Sequence, residues 1–131
     1  MTTTGRFQFK KSERIVSQKV VGELFGGDGS HSQAAFPVRA VYYVGERSAG
    51  EPPVQLLISV PKRRFKHAVD RNRVKRQLRE AYRHHRQLLE EAVVDGRAIK
   101  LALIWIGDRH CPSADVEARV VGLFNRIAHR L

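Results

Sequence analysis

Residues 54–80 decide the fold, and their sequence is VQLLISVPKRRFKHAVDRNRVKRQLRE. The apolar run at 54–60 predicts a strand, and a basic connection leads from it into a long helix that we expect to span 68–95 and to end at Gly96. One side of that helix carries apolar residues at helical spacing, namely Val74, Leu78, Ala81, Leu88 and Ala92, with His85 among them. The stretch therefore predicts a strand followed by an amphipathic helix that packs one side on a core.

The opposite side of this predicted helix is basic. With Asn72 at zero on a helical wheel, four arginines fall within about 40° of it. These are Arg76, Arg79, Arg83 and Arg86. Residues 61–86 contain eleven Lys and Arg against two acids, so they carry +9 of the chain's net charge of +11. A solvated helix usually mixes both signs, whereas a one-sided row of guanidiniums suits the phosphates of a folded polyanion.

The remaining segments predict a single domain over residues 1–131, of which we expect 1–8 to be flexible. A helix over 12–25 with Ser12 as its N-cap precedes a loop at 26–34. Strands are predicted at 36–44 and 99–106, and the strands at 36–44 and 54–60 are expected to pair as an antiparallel hairpin. A last helix is expected to start with Ser113 as its cap. The order α-β-β-α-β-α predicts an α/β (α+β) two-layer sandwich, with helices covering one sheet.

Successive side chains of a strand point to opposite faces of the sheet, which assigns the residues of the predicted strand at 36–44 to two faces. Phe36, Val38, Ala40 and Tyr42 are predicted on one face, and Arg39, Val41 and Tyr43 on the other. The nearly continuous apolar run at 99–106 predicts a strand that is covered on both faces. In the last helix the predicted core residues are Val116, Val120, Leu123, Phe124 and Ile127.

Composition excludes several classes of protein. The single cysteine, Cys111, excludes a disulfide scaffold and a Cys-rich zinc module. No stretch approaches the ~18 apolar residues of a membrane-spanning helix, and residues 1–9 lack the apolar region of a signal peptide. We therefore expect a cytoplasmic protein with no membrane partner. Helix-turn-helix, zinc-finger and basic-zipper patterns are absent, which favours RNA over DNA as the polyanion.

No side chain is predicted to be catalytic, and no metal site is predicted. A magnesium-dependent nuclease needs several converging carboxylates, and the few acids here lie mainly in helix caps, in loops or near basic residues. Asp108 and His110 share a loop and could form an acid/base pair, but a solvated turn is the favoured interpretation. His84 and His85 point about 100° apart on a helix and cannot chelate one metal together. Cys111 has no evident partner for nucleophilic chemistry.

These residues resemble a known family. Residues 59–63 (SVPKR), followed by 68–80 (AVDRNRVKRQLRE), are similar to the signature of the bacterial ribonuclease P protein component. The resemblance extends over about 9–131, and Arg14-Ile15 and Phe25 match the opening and the second aromatic of the family's first helix. The chain departs from the pattern at Val21, where an aromatic is usual, at Leu57, where glycine is common, and at Pro61, where a small residue is common.

The resemblance implies a sandwich with a left-handed crossover between parallel strands. It also implies a protein that joins ribonuclease P RNA, as a monomer, in the endonuclease that removes the 5′ leader from precursor tRNA. In such enzymes the RNA and its magnesium ions perform the hydrolysis, and the protein alone binds no cofactor. The residues expected to contact the catalytic RNA are Lys62, Arg63, Arg64, Arg71, Asn72, Arg73, Lys75, Arg76, Arg79 and Arg83. The residues expected to line a cleft for the leader are Arg14, Val21, Phe25, Arg39 and Tyr43.

Two alternatives remain open at this stage. A stand-alone RNA-binding or ribosomal protein would have a similar basic surface. A self-sufficient nuclease is the weaker alternative, because the sequence offers no carboxylate cluster. Asn72, a mediocre helix former inside the helix, suggests a hydrogen bond either to RNA or to a neighbouring loop.

Overall fold

The computed structural model of the chain describes residues 24–25 and 29–131. Within them lie four strands and three helices, in a mixed α+β arrangement. Their bounds are β1 Ser30–Ala35, β2 Val38–Glu46, β3 Val54–Ser59, α1 Ala68–His85, α2 Gln87–Glu90, β4 Arg97–Trp105 and α3 Ser113–Arg130. Leu24 and Phe25 are helical, and the rest of the helix predicted over 12–25 lies outside the described residues, as do residues 1–8.

The strands form one sheet in the order β1-β2-β4-β3. Strand β4 is antiparallel to β2 and parallel to β3, with Leu101 opposite both Tyr42 and Leu56. The predicted hairpin between β2 and β3 is therefore wrong, because β4 is inserted between them. A strand that is apolar on both faces suits the centre of a sheet, and the crossover through α1 returns the chain to that position. The handedness of this crossover stays a prediction.

The prediction of a loop over 26–34 is wrong where β1 lies. The sequence of this strand is SHSQAA, which has no apolar alternation, yet it pairs with β2 along its whole length, from Ser30↔Tyr43 to Ala35↔Val38. It lies at the edge of the sheet, where polar residues are tolerated and backbone pairing supplies the stabilisation. Side-chain patterns alone do not reveal such a strand.

The main core lies between one face of the sheet and helices α1 and α3. Its largest fully buried members include Trp105, Tyr82 and Phe124, with the Tyr82 and Phe124 rings edge to face at 6.2 Å. The five predicted core positions of α3 are all buried, which confirms them. Val38, Ala40 and Tyr42 are buried together on one face of β2, as the predicted alternation requires, but Phe36 precedes β2 and is 68% exposed. Alternation does not extend to Phe36 because the strand begins only at Val38.

Two helix boundaries differ from prediction. Helix α1 ends at His85, and the short helix α2 that follows buries Leu89, so apolar spacing continues across the interruption and conceals it. Gly96 ends the connection before β4 with φ +82°, a conformation that favours glycine. Helix α3 has Pro112, not Ser113, at its N-cap, and no side chain caps it. The Ser113 hydroxyl instead accepts a hydrogen bond from Gln77 of α1, at 3.1 Å.

Candidate RNA interface

The basic surface comprises the predicted RNA contacts on α1 and on the connection at residues 60–67. Because Val74, Leu78 and Ala81 are buried on the opposite side of α1, the cations are directed toward solvent. The exposed members are Lys62, Arg63, Asn72, Arg73 and Arg76. The partly buried members are Arg64, Arg71, Lys75, Arg79 and Arg83. The structure thus brings all ten predicted residues onto one helix and the connection before it, with the first turns of α1 most exposed.

Arg71 has a role that its place in the motif does not suggest. Its Nη1 donates hydrogen bonds to the carbonyl oxygens of Phe65 and Lys66, both at 2.9 Å. These bonds fix the end of the basic connection against the start of α1. Arg71 therefore shapes the surface through the backbone and presents only part of its guanidinium outward.

The helical wheel predicts a row of four arginines that face solvent, and only part of that row does so in the structure. Arg83 is partly buried and pairs with Glu80, with Nη1 2.6 Å from Oε1. Arg86 is only 8% exposed, and its Nε lies 3.6 Å from Oε1 of Glu90. The prediction of an exposed arginine at position 86 is therefore wrong: the Arg86 backbone is still helical, with its N–H bonded to the Tyr82 carbonyl, but its side chain is buried beside Glu90.

Contacts with α3 and the preceding loop hold α1 in position. Gln77 is only 9% exposed, and its Nε2 donates to the Cys111 carbonyl at 2.9 Å as well as to Ser113. Farther along, His85 Nε2 lies 2.6 Å from Oε1 of Glu117. Sequence reasoning missed Gln77, although an amide within an apolar stripe is itself a signal of a buried hydrogen bond.

A second tie joins the loop after β4 to the first turn of α1. His110 Nε2 lies 3.0 Å from Oδ1 of Asp70, and its ring stacks on Phe65 with centroids 4.6 Å apart. His110 thus pairs with Asp70 of α1 and not with its neighbour Asp108. The arrangement orders the basic connection, because Phe65 lies within it.

The second face of the sheet is the face opposite the main core. Three residues of the predicted leader cleft are described by the structure and lie on or beside this face, namely Phe25, Arg39 and Tyr43. Leu24 packs there against Val41 and Ala102, and its neighbour Phe25 is 51% exposed. Arg39 and Tyr43 lie on this face, as alternation predicts, and Arg14 and Val21 lie outside the described residues. The structure therefore places Phe25 outside the buried core and beside the face that holds the other two.

Two details shape this face. Arg39 Nε donates to the Ser32 hydroxyl at 2.9 Å, which positions the guanidinium across β1. A Cβ at Gly45 would lie 2.8 Å from Cε1 of Tyr43, so the tyrosine ring covers the glycine backbone. Any larger residue at position 45 would displace this ring. A glycine inside a strand can mark such a close approach, but its sequence context does not say which side chain makes it.

Two further features concern the described part of the chain. It contains no group of three or more His, Cys, Asp or Glu side chains arranged to hold a metal ion. None of its helices combines the length and the hydropathy of a membrane-spanning segment.

Comparison with known proteins identifies the family. The Ribonuclease P family model matches residues 9–127. The ribonuclease P protein component of Porphyromonas gingivalis is 38% identical over 93 residues, which are 71% of this chain and 66% of the relative. That of Chlorobium phaeobacteroides is 31% identical over 106 residues, 76% of this chain and 73% of the relative. The match thus spans slightly less than two thirds of the Porphyromonas relative's length.

Solved structures share the fold. The ribonuclease P protein of Staphylococcus aureus superposes with a TM-score of 0.66 at 20% identity, covering 90% of this chain and 96% of that one. The protein from Thermotoga maritima gives 0.63 at 18% identity, covering 87% and 96%. The α+β fold is thus common to this chain and these ribonuclease P proteins. The chain belongs to the ribonuclease P protein component family.

Proposed function

We propose that this chain is the protein subunit of a ribonuclease P ribonucleoprotein. The basic surface binds the catalytic RNA, and the second face of the sheet binds the 5′ leader of precursor tRNA. The holoenzyme then removes the leader by endonucleolytic cleavage, with one copy of the chain per complex, in the cytoplasm. The observation that carries the proposal is the one-sided basic surface of α1, in a chain of this family with a net charge of +11.

The geometry suits binding to a folded RNA. Gln77, His85 and Asp70 tie α1 to α3 and to the loop before it, so the exposed arginines are presented from a rigid support. A rigid support lowers the entropy cost when each guanidinium binds a phosphate. Arginine also binds phosphate through two parallel hydrogen bonds, which gives orientation as well as affinity.

The second face suits a single strand. Arg39 offers a cation for the backbone, while Tyr43 and Phe25 offer rings for bases, a combination typical of single-stranded sites with little sequence preference. By resemblance, Arg14 and Val21 complete this surface. The Tyr43 ring lies over the backbone of Gly45, which has no side chain to displace it.

The chemistry itself belongs to the RNA in this proposal. The magnesium ions of the catalytic RNA supply the hydrolysis. The protein reduces repulsion between two polyanions, the catalytic RNA and the precursor tRNA. Magnesium ions also screen that repulsion, but with less specificity.

A magnesium series tests this division of labour. Single-turnover cleavage of precursor tRNA by the RNA is measured with and without the protein, at fixed monovalent salt. We expect a large stimulation at low magnesium that shrinks as magnesium rises, with the same bond cleaved throughout. Parallel curves would show that a side chain supplies chemistry, because ions cannot replace a general base.

The same reconstitution separates the alternatives. Binding without stimulation would indicate a stand-alone RNA-binding protein. Cleavage by the protein without the RNA would indicate a self-sufficient nuclease. The proposal requires both components for efficient maturation at low magnesium.

A further inference from the structure

The turn between β1 and β2 presents an aromatic ring that neither the core nor the proposed leader cleft uses. Phe36 is 68% exposed, although the residues that follow at Val38 and Ala40 are fully buried. A single exposed apolar side chain needs no explanation by itself. The surroundings of Phe36 are what distinguish it.

The turn that carries the ring is held in place by its neighbours. The Ile106 N–H donates to the Pro37 carbonyl at 2.8 Å, which joins this turn to the loop after β4. A Cβ at Gly107 would lie 2.8 Å from Cβ of Pro37 and 3.6 Å from Cζ of Phe36. The tip of the ring therefore rests beside the bare backbone of Gly107, and the remainder faces solvent.

Three arginines lie on the segments next to this turn. Arg126 of α3 donates from Nη1 to the Ala34 carbonyl at 3.0 Å, two residues before Phe36. Arg39 is the strand partner of the same Ala34, on the side of the second face. Arg109 is exposed and follows Gly107 by two residues, with Asp108 as the acid between them.

The turn also lies at the same end of the sheet as the basic connection. Strands β3 and β4 are parallel, so both finish at this end, and β2 begins there because it is antiparallel to β4. The connection at 60–67 follows β3 and contains four Lys and Arg and no acid. RNA bound to the basic surface or to the second face would therefore reach this end of the sheet.

We propose that Phe36 is a stacking platform for an unpaired nucleobase of bound RNA, with Arg39, Arg109 and Arg126 holding the adjacent phosphates. Exposed aromatic rings among cations are typical of single-stranded nucleic-acid sites. The inference rests on the proposed function, because that function brings the RNA to this end of the sheet. The base comes either from the catalytic RNA or from the leader of precursor tRNA.

Four versions of the full-length chain test the inference: wild type, Phe36→Ala, Phe36→Leu and Phe36→Tyr. One arm measures affinity for the catalytic RNA alone. The other measures affinity of the assembled holoenzyme for precursor tRNA with and without its leader. Val94→Ala is the matched control, since Val94 is also exposed but lies before β4, at the opposite end of the sheet.

In the arm that contains the stacked base, we expect Phe36→Ala to weaken binding roughly 5- to 100-fold. Phe36→Tyr should retain wild-type affinity, Phe36→Leu should lose most of it, and Val94→Ala should change nothing. A loss with the RNA alone assigns the base to the catalytic RNA. A loss only with leader-bearing tRNA assigns it to the leader.

Two outcomes would overturn the inference. Affinities within twofold of wild type for Phe36→Ala in both arms would show that no base stacks there, while the proposed function would stand. Retention of affinity by Phe36→Leu would show that apolar area and not aromatic stacking matters. If the wild-type chain fails to bind the catalytic RNA, the proposed function fails first and this inference with it.

Discussion

Helix α1 has one face that packs against α3 and the sheet and another that faces solvent. On the first, Val74, Leu78 and Tyr82 are fully buried. On the second, Arg73 and Arg76 are exposed. The residues that stabilise the helix and those that we propose to bind RNA alternate in the sequence. The first group packs in the core, whereas the second faces solvent. Stability and RNA binding should therefore respond to different substitutions within a single helix.

The contrast between the two faces has two instructive exceptions, both arginines. Arg71 donates to two backbone carbonyls, and Arg86 is buried beside Glu90. Both have the same charge as Arg73 and Arg76, yet their bonds are made within the protein. Residue type alone therefore does not separate the two faces, whereas the surroundings of each side chain do.

The largest expected effect on the free energy of unfolding is at the buried face. Leu78→Ala removes a fully buried side chain from the core between α1, α3 and the sheet. We expect a decrease of about 2–5 kcal/mol, from the missing transfer free energy and the cavity left behind. Urea unfolding followed by circular dichroism measures it. A decrease below about 1 kcal/mol would mean that the core is less tightly packed than the structure shows.

An intermediate effect is expected for Arg71→Ala. The change removes two hydrogen bonds from a charged donor to the carbonyls of Phe65 and Lys66, so we expect the free energy of unfolding to fall by about 1–2 kcal/mol. Arg73→Ala is the matched control in the same turn of the helix, and its effect should lie within about 0.5 kcal/mol. Equal unfolding free energies for the two variants would show that the bonds of Arg71 to the backbone do not stabilise the fold, and Arg71 would then not differ from the exposed Arg73.

The smallest effect on stability, with the clearest effect on binding, is expected for the double variant Arg76→Ala/Arg79→Ala. Each phosphate that loses its guanidinium should flatten the slope of log K against log salt for the catalytic RNA by roughly 0.7–0.9. The unfolding free energy should stay within about 0.5 kcal/mol of wild type.

Arg97→Ala/Arg130→Ala is the control for that variant. It removes the same charge from two exposed positions outside the basic surface. Its salt slope should match that of wild type. If both double variants flatten the slope equally, binding depends on net charge and not on the α1 surface.

Hydrophobic periodicity predicts most of the buried positions in the helices and in β2. It predicts little of how the strands are ordered in the sheet. The buried positions of α1 and α3 repeat at helical spacing, and Val38, Ala40 and Tyr42 alternate along β2, so local patterns identify them. The order of strands depends on pairing between distant segments, which leaves no local signal. Strand β1 pairs through its backbone, so SHSQAA gives no apolar pattern to detect.

The candidate site divides in the same way. Charge clustering at 61–86 indicates the basic surface, because charge is a property of the sequence itself. Arg71, Gln77 and Arg86 make hydrogen bonds or ion pairs within the protein. These contacts depend on where loops and helix ends lie in space, so the spacing of residues along the sequence does not predict them. Phe36 shows the same limit, since alternation assigns it to the strand face that holds Val38 although β2 begins two residues later.

The central position of β4 constrains how the chain can fold during its synthesis. Strands β1 and β2 can pair as soon as both have left the ribosome, because they are consecutive. Strand β3 has no partner in the sheet until residues 97–105 emerge, since its neighbour there is β4. The basic helix α1 is made in that interval, before the strand and the helix that hold it in place. A nascent chain can therefore expose its cationic segment to cellular RNA before the rigid surface exists, and the specific assembly with RNA that we propose has to follow the synthesis of β4 and α3.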